Sequence, residues 1–459
     1  MVATLACVGA LGLAGAMTLG TSRGTCSFVP PYLIRRLGLL AEADLDERLR
    51  AVREVAPTSG GVPATAIALP EWTIHTADQS TELPGRAVRI AGQPVSDDAA
   101  VDEAAAGITG ALALFEEVYG LRSYDGQGVA VSLTVHFGRD YPNAFWDGTQ
   151  LVFGDGDGEV FDRFTKPIDV LGHELAHAVT ERSAGLVYRD QPGALNESMS
   201  DVFATCLKQR LLGQVAADGD WLIGAELFLP GVRARALRDM ARPGTAYDDP
   251  RLGQDPQPAH LDDYVDTTDD NGGVHVNSGI CNRAFHLAAM AVGGSSWAGA
   301  GQIWYDALTG GDVRPDTDFA GFAAATVAAA GPQAASVEEA WRQVGVRAVA
   351  GSSAPATGGA GPGGAGRTVR VRRSGGFVGR TVEGQVDLGA GDERAVRLAG
   401  LVTRIDPRSV GASSAPLPDH YTYEFDLDGQ RVQVPEQDLT DDLRAVADLV
   451  LRPEGPTEA

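Results

Sequence analysis

The clearest chemical signal in the chain is a pair of histidines separated by three residues, in the sequence H-E-L-A-H at residues 173–177. Four positions make slightly more than one helical turn, so His173 and His177 leave the same face of a helix and can bind one metal ion. Zinc accepts two imidazole nitrogens and a carboxylate. Glu174 is offset by about 100° on the helix, which predicts that it stands beside the ion and takes a proton from water.

An acidic pair on a following helix supplies the remaining groups that a catalytic zinc needs. Glu197 lies twenty residues after His177 and is predicted to be the third ligand. Asp201 lies one turn further along the same face, where it can accept the outer N–H of a ligand histidine. Alone, this pair is typical of a solvated helix face, and the preceding motif favours the metal site. Three protein ligands leave one position for water, as in catalytic zinc sites.

A third stretch offers a donor for the oxyanion that forms when water attacks a carbonyl group. His275 follows two glycines, and Asp270 precedes it by five positions, where it could keep the imidazole protonated or oriented. By itself, an isolated histidine of this kind is a weak signal.

The composition limits the classes of partner. The 459 residues include 61 acidic and 37 basic side chains, for a formal charge of -24. This balance argues against nucleic acid or an anionic membrane as the main partner and favours a soluble, self-repelling protein. We expect a monomer whose partners are protein or peptide substrates. The four cysteines show no C-x-x-C spacing and do not predict a disulfide scaffold.

Periodicity and composition divide the chain. Apolar positions at helical spacing predict a helix over residues 98–119, and alternating positions predict strands over 129–137 and 150–153. Helix signals dominate residues 167–347. Residues 351–366 (GSSAPATGGAGPGGAG) have the composition of a flexible linker, and short strands with a final helix after them predict a small α+β domain.

Four motifs resemble the thermolysin family of neutral metallopeptidases, in its order and approximate spacing. They are residues 143–148 (NAFWDG) with 154–158 (GDGDG), 173–188 (HELAHAVTERSAGLVY), 196–203 (NESMSDVF) and 272–280 (GGVHVNSGI). The resemblance covers about residues 83–349. It implies an α+β, two-lobed peptidase with a mixed β/α N-lobe over 83–185 and a mainly helical C-lobe over 186–350. The implied activity is zinc-dependent endopeptidase.

The resemblance also implies a role for individual residues. The implied zinc ligands are His173, His177 and Glu197. The implied catalytic residues are Glu174 as base, Tyr188 and His275 as oxyanion donors, and Asp270 as the residue that orients His275. The implied substrate-binding residues are Asn143, Ala144, Arg238, Val170, Ile223 and Leu237. The last three line a specificity pocket, and their apolar character implies cleavage before a bulky hydrophobic residue.

The sequence departs from the family at its paired calcium site. Asp169 and Asp220 match the family's acidic residues there, but Lys208, Leu222 and Ala225 replace carboxylates. The Lys208 ammonium could neutralise the two remaining aspartates without an ion. Calcium at this site is therefore in doubt.

The N-terminal region consists of two segments, residues 1–25 and 26–82, and each of them has two interpretations. Residues 29–38 (VPPYLIRRLG) resemble the Pro-Pro-Tyr-Leu propeptide of the protealysin-like branch, which implies a short propeptide over 26–82 that covers the cleft until it is cut off. The alternative is a polyproline-type linker. Residues 1–25 are either a signal peptide, which predicts secretion, or the product of a mis-assigned start, which predicts a cytoplasmic protein.

The C-terminal region, residues 367–459, is similar to emfourin, a small inhibitor of protealysin-like peptidases. The similarity rests on residues 373–380 (RSGGFVGR) and 421–425 (YTYEF), and the alternative is a substrate-binding appendage with a plain hairpin. A flexible tether gives an effective concentration in the range of about 1 mM. The sequence therefore predicts a zymogen with its propeptide and its C-terminal domain as intramolecular inhibitors.

Two further functions compete with an active peptidase. One is a catalytically idle, zinc-bound scaffold held shut by its tail, and the other is a secreted adhesion module. The presence of Glu174, Tyr188, Arg238 and His275 together argues against adhesion, because a binding module needs no general base.

Overall fold

The chain divides into two compact units, residues 1–354 and residues 355–459. The structure is a computed structural model that describes residues 27–45, 48, 71–354, 368–375, 382–387, 397–398, 401, 421–427 and 430–451. Among these residues no helix is both long enough and apolar enough to cross a bilayer.

A five-stranded mixed sheet forms the first half of the first unit. A short helix precedes the sheet, α1 (Pro31–Arg36), and the strands are β1 (Trp72–Thr76), β2 (Arg86–Ile90), β3 (Val131–Val135), β4 (Ala144–Trp146) and β5 (Gln150–Phe153). Their order is β2-β1-β3-β5-β4. The pairs β1–β3 and β3–β5 are parallel, whereas β1–β2 and β4–β5 are antiparallel. Strand β4 is therefore at one edge, where it can accept a further strand.

The helix expected at residues 98–119 is α2 (Ala99–Tyr119). The Asp98 side chain caps it by accepting hydrogen bonds from the amides of Ala100 and Val101. The helix ends where Gly120 adopts a left-handed conformation with φ of 69°. Its apolar face, which includes Ile108 and Phe115, lies in the same core as the sheet.

Two buried helices follow, α3 (Ile168–Arg182) and α4 (Asp190–Leu211). Side chains 169–180 of α3 and nearly all of 192–209 in α4 are buried. Because both helices are enclosed on every side, their polar residues must find partners inside the protein. Those polar residues include the ones that the sequence predicted to bind metal.

The remaining elements of the first unit are mainly helical. They are β6 (Leu222–Ile223), β7 (Arg238–Asp239), β8 (Asp248–Asp249), β9 (Gly253–Gln254), α5 (Asp270–Val292), α6 (Ala300–Thr309), α7 (Phe319–Ala329) and α8 (Ala334–Gln343). Strands β6 and β7 pair through Ile223 and Arg238. This arrangement confirms the predicted fold class, a β-containing N-lobe and a helical C-lobe.

The start of α5 has an irregular backbone. Asn271, Gly272 and Gly273 have φ angles of 52°, 88° and 72°, values that glycine adopts readily. A Cβ on Gly272 would lie 2.1 Å from Asp190 Oδ1. A glycine is therefore required here, and the resulting turn brings Asp270 back beside His275.

The second unit contains an antiparallel sheet and a helix. Its elements are β10 (Thr368–Gly375), β11 (Val382–Asp387), β12 (Tyr421–Leu427), β13 (Gln430–Pro435) and α9 (Asp441–Leu451), and the strand order is β11-β10-β12-β13. Its own core includes Val371, Phe425 and Val446. Of the inhibitor-like motif, Gly375 ends β10, whereas Gly376 and Phe377 lie outside the described residues.

Candidate metal centre and substrate cleft

The three predicted ligands meet between α3 and α4. Ligand atoms of His173, His177 and Glu197 all lie within 4.8 Å of one another, and the three side chains are buried. The Nε2 atom of His173 is 3.5 Å from Glu197 Oε2, and Nε2 of His177 is 3.6 Å from Glu197 Oε1. The helical spacing and the twenty-residue offset thus place two nitrogens and a carboxylate around one point.

Oxygen acceptors fix the tautomer of both histidines. His173 Nδ1 donates to Asp201 Oδ1 at 2.8 Å, and His177 Nδ1 donates to Asn196 Oδ1 at 2.8 Å. Since these oxygens only accept, each Nδ1 carries a proton, and in the neutral imidazole each Nε2 turns a lone pair inward. The two Nε2 atoms are 3.0 Å apart.

A zinc ion fits this arrangement. Two inward lone pairs 3.0 Å apart repel each other unless a proton or a metal cation lies between them. Two neutral imidazoles and one carboxylate are the donor set of catalytic zinc sites, with one position left for water. His173, His177 and Glu197 would hold the ion.

Glu174 directly follows the predicted ligand His173 on α3. It is fully buried, and its carboxylate accepts a hydrogen bond from the backbone of Trp146. Burial raises the pKa of Glu174 to about 7, against the opposing effect of His173. A carboxylate with a pKa near neutrality can both accept and return a proton, as a general base requires.

Asp201 connects the metal site to the substrate cleft. Arg238 donates to both of its oxygens, Nε to Oδ2 and Nη2 to Oδ1, each at 2.8 Å. The Nδ2 atom of Asn282 also donates to Oδ2, at 2.8 Å. Burial alone would raise the pKa of Asp201, but the Arg238 guanidinium and His173 lower it to about 2.

The predicted oxyanion donors lie on the other side of the metal site. Asp270 Oδ1 is 2.7 Å from His275 Nδ1, and the turn at the start of α5 also places Asp270 Oδ2 3.0 Å from the His275 amide. Burial lowers the pKa of His275, but the carboxylates of Asp270 and Glu197 more than offset this and raise it. The Tyr188 hydroxyl donates to Glu197 Oε1 and lies 3.4 Å from His275 Nε2.

The chain's own residues 27–29 occupy the cleft beside β4. The Phe28 amide donates to the Ala144 carbonyl at 2.9 Å, and the Val29 amide donates to Asn143 Oδ1 at 2.8 Å. The Asn143 Nδ2 atom donates back to the Val29 carbonyl at 3.3 Å. The edge strand therefore binds an extended peptide, the role that the resemblance implied for Asn143 and Ala144.

The Phe28 side chain fills an apolar pocket and is fully buried. Its ring meets those of His173 and Phe164 edge to face, with centroids 5.1 Å and 6.4 Å away, and the Arg238 guanidinium lies 4.8 Å from its centroid. The predicted pocket residues are buried in the same core, namely Val170, Ile223 and Leu237. Gly224 also borders this pocket. A Cβ at Gly224 would lie 3.3 Å from Phe28 Cε1, so the absence of a side chain there leaves room for the ring.

Several residues of the site were not predicted from the sequence. Asn196 orients His177, and its position directly before Glu197 was the available signal. Asn282 on α5 and Phe164 near the pocket carried no local signal, because each acquires its role from a contact with a distant part of the chain.

Fold and site together define a zinc metallopeptidase, and comparison with known proteins gives its family. Residues 73–181 match the family model of the thermolysin metallopeptidase catalytic domain, and residues 184–346 match that of the thermolysin alpha-helical domain. Residues 371–451 match the Emfourin family model.

Known relatives resemble most of the chain. An extracellular metalloprotease of Pectobacterium carotovorum is 46% identical over 71% of this chain and 97% of its own length. Protease PrtS of Photorhabdus is 41% identical over 70% of this chain and 91% of its own length. The solved precursor of protealysin from Serratia proteamaculans is 48% identical, with a TM-score of 0.64 over 70% of this chain and 99% of that one.

The chain belongs to the thermolysin family of metallopeptidases and is a metalloendopeptidase with an emfourin-type domain. The resemblance drawn from its motifs is confirmed.

Proposed function

We propose that the chain is a secreted zymogen whose zinc site hydrolyses peptide bonds on the amino side of bulky hydrophobic residues. The observation that carries this proposal is the extended segment 27–29, which adds to the edge of β4 and buries the Phe28 ring. The name of the Pectobacterium relative supports secretion. Recovery of the protein only from the cytosol of its own cells would contradict that part.

Each side chain of the cleft has one task in this reaction. Bound zinc supplies Lewis-acid polarisation of a carbonyl group and activation of water. Glu174 takes the proton of the attacking water and passes it to the leaving amine. His275 and Tyr188 donate hydrogen bonds to the oxygen that gains charge, with Asp270 orienting His275. Arg238 and Asn143 hold the substrate backbone on the far side of the bond.

The catalytic roles predict distinct kinetic defects once the cleft has been cleared by limited proteolysis. Glu174→Gln should keep about one zinc per chain and lose activity by more than about 10²-fold, since the general base is removed. His275→Gln and Tyr188→Phe should lower kcat by about 10²-fold with little change in KM, because oxyanion donors act on the transition state. Steady-state assays on a quenched peptide, together with zinc analysis, measure both effects.

The matched control is Glu339→Gln, at an exposed position on α8. It should behave as the wild type. Near wild-type turnover by Glu174→Gln would refute the assignment of the base, and a defect confined to KM in the other two variants would make them substrate-positioning residues. No activity in the wild type after proteolysis would favour the idle scaffold.

The pocket predicts a preference for phenylalanine after the cleaved bond. In Gly224→Ala, the new Cβ would lie 3.3 Å from the ring carbon Cε1 of a Phe28-like side chain. We expect kcat/KM to fall about tenfold for Phe substrates relative to Ala substrates. Gly213→Ala is the matched control, because Gly213 has a similar φ of 65° with nothing within 4 Å of its Cβ position. An equal loss in both variants would mean backbone strain rather than pocket size.

We propose that the Lys208 ammonium takes the place of calcium at the position of the family's paired calcium site. Its Nζ atom lies 2.9 Å from Asp220 Oδ1, 3.5 Å from Asp169 Oδ2 and 2.9 Å from the Leu222 carbonyl. Burial raises the pKa of Asp169, and the Lys208 ammonium opposes that rise. The ammonium thus balances the carboxylates that an ion would otherwise have to neutralise.

Calcium should therefore not change the melting temperature of the wild type at fixed zinc. Lys208→Met should cost about 3 kcal/mol, because it leaves the buried carboxylate of Asp169 without its cation, and added millimolar Ca²⁺ should recover part of the loss. Lys166→Met, at an exposed ion pair, is the control and should respond to neither change. A rise of many degrees on adding Ca²⁺ to the wild type would contradict the proposal.

We also propose that the C-terminal unit inhibits the peptidase in cis. Its match to the Emfourin family model supports this role. The Ala354 amide donates to the Asp316 carbonyl at 2.7 Å, so the tether leaves the first unit at a fixed place. Residues 355–367 have the glycine-rich composition of a linker, for which an average span of about 20 Å is expected.

After removal of the propeptide, a chain that ends at Ala354 should be more active than the full-length chain. The separate unit 355–459 should inhibit it in trans, and Phe377→Ala should weaken that inhibition more than Arg444→Gln, at an exposed position of α9. Initial rates on a quenched peptide, with the unit titrated in, measure both. An absence of inhibition at tens of micromolar would leave the tail as a substrate-binding appendage.

A further inference from the structure

The segment in the cleft runs in one definite direction relative to β4. Ser27 and Phe145 form an antiparallel bridge, and the Phe28 amide donates to the Ala144 carbonyl at 2.9 Å. The next amide, that of Val29, donates to Asn143 Oδ1. Three successive residues are therefore held in a single register along the edge strand.

That register puts a particular peptide bond at the catalytic residues. The Ser27 carbonyl accepts from His275 Nε2 at 3.0 Å, and the Phe28 carbonyl accepts from Arg238 Nη1 at 3.2 Å. His275 is the proposed oxyanion donor, and Arg238 is the proposed holder of the next carbonyl. The bond that joins Ser27 to Phe28 consequently takes the position of the bond to be hydrolysed.

Nothing in the local chemistry protects this bond. Neither Ser27 nor Phe28 is proline or charged, and Pro30 and Pro31 come only after Val29. The Phe28 ring fills the pocket as a substrate side chain would. Glu174, the proposed base, is buried in the same site directly after the ligand His173.

We propose that the enzyme hydrolyses its own Ser27–Phe28 bond, an inference that rests on the proposed peptidase function. Water adds its oxygen to the Ser27 carbonyl carbon, and the bond from this carbon to the Phe28 nitrogen breaks. Ser27 becomes a carboxylate, and Glu174 carries both protons of the water to the Phe28 nitrogen, which becomes the new ammonium terminus. No further reactant is needed.

This cut does not open the cleft. The new terminus stays attached to α1, whose Leu33 and Ile34 side chains are buried. The Tyr32 and Tyr247 hydroxyls lie 3.1 Å apart, which adds a polar contact to the same interface. Phe28 therefore remains in its pocket after hydrolysis, and the cut chain stays latent until residues 28 onward are removed as well.

The test uses the full-length, zinc-loaded chain that begins at Met1. Intact mass and N-terminal sequencing should find a chain beginning at Phe28 while activity on a quenched peptide is still low. Glu174→Gln should retain the Ser27–Phe28 bond, whereas Glu339→Gln should be cut as the wild type is. A zinc-loaded wild type that keeps the bond would overturn the proposal, and so would equal cutting of Glu174→Gln, because another protease would then be responsible.

A second measurement tests the register without zinc or turnover. In the metal-free Glu174→Gln chain, the amides of Phe28 and Val29 should exchange hydrogen slowly, and Asn143→Ala should speed this exchange at least tenfold. Fast exchange before that substitution would contradict the bound register. If the enzyme cleaves the quenched peptide after its propeptide is removed but leaves Ser27–Phe28 intact, only this proposal fails. If it cleaves neither, the proposed function fails.

Discussion

The buried carboxylate of Asp201 is the contact on which both halves of the site depend. It accepts hydrogen bonds from His173 Nδ1, from two atoms of Arg238 and from Asn282. A carboxylate with no exposed surface is stable as an anion only with donors of this number and charge. Its charge sets the tautomer of His173, and its geometry sets the position of Arg238, which donates to the Phe28 carbonyl. An altered Asp201 would therefore disturb metal binding and substrate binding together.

The ion pair between Asp201 and Arg238 also explains how the cleft holds a segment of its own chain. Arg238 already has its charge balanced by Asp201, so its Nη1 donates to the Phe28 carbonyl without requiring an anion from the segment. Asn143 supplies both an acceptor and a donor to Val29. The Phe28 ring contributes buried apolar surface, and the backbone hydrogen bonds of Phe28 and Val29 fix the direction of the segment. Any peptide with a large apolar residue at that place presents the same groups, so in the proposed function latency and substrate recognition use one set of contacts.

Local patterns in the sequence were enough to predict the centre of the site. The spacing of His173, Glu174 and His177 needs only the period of a helix, and the strand over residues 150–153 agrees with β5. The helix α2 was predicted at residues 98–119 because its apolar period is local.

Contacts between distant residues were not predictable in this way. Asn282 meets Asp201 across 81 positions, and Arg238 meets Phe28 across 210. Neither residue type nor spacing specifies such a contact, because it depends on how several helices and strands pack. The Pro-Pro-Tyr-Leu resemblance implied a segment over the cleft, but not that Phe28 enters the pocket.

Strand β1 is a second feature that local sequence patterns did not predict, and its pairing limits where the chain can be cut. The sequence analysis put residues 72–76 ahead of the peptidase N-lobe, whereas the structure pairs all five of them with β3 and most of them with β2. A five-residue strand of mixed polarity gives little sequence signal. Its parallel partner lies nearly sixty positions away, so the pairing leaves no local pattern in the sequence. Removal of β1 would leave one side of β3 without its hydrogen bonds and detach β2 from the sheet. A cut that preserves the N-lobe therefore falls before Trp72.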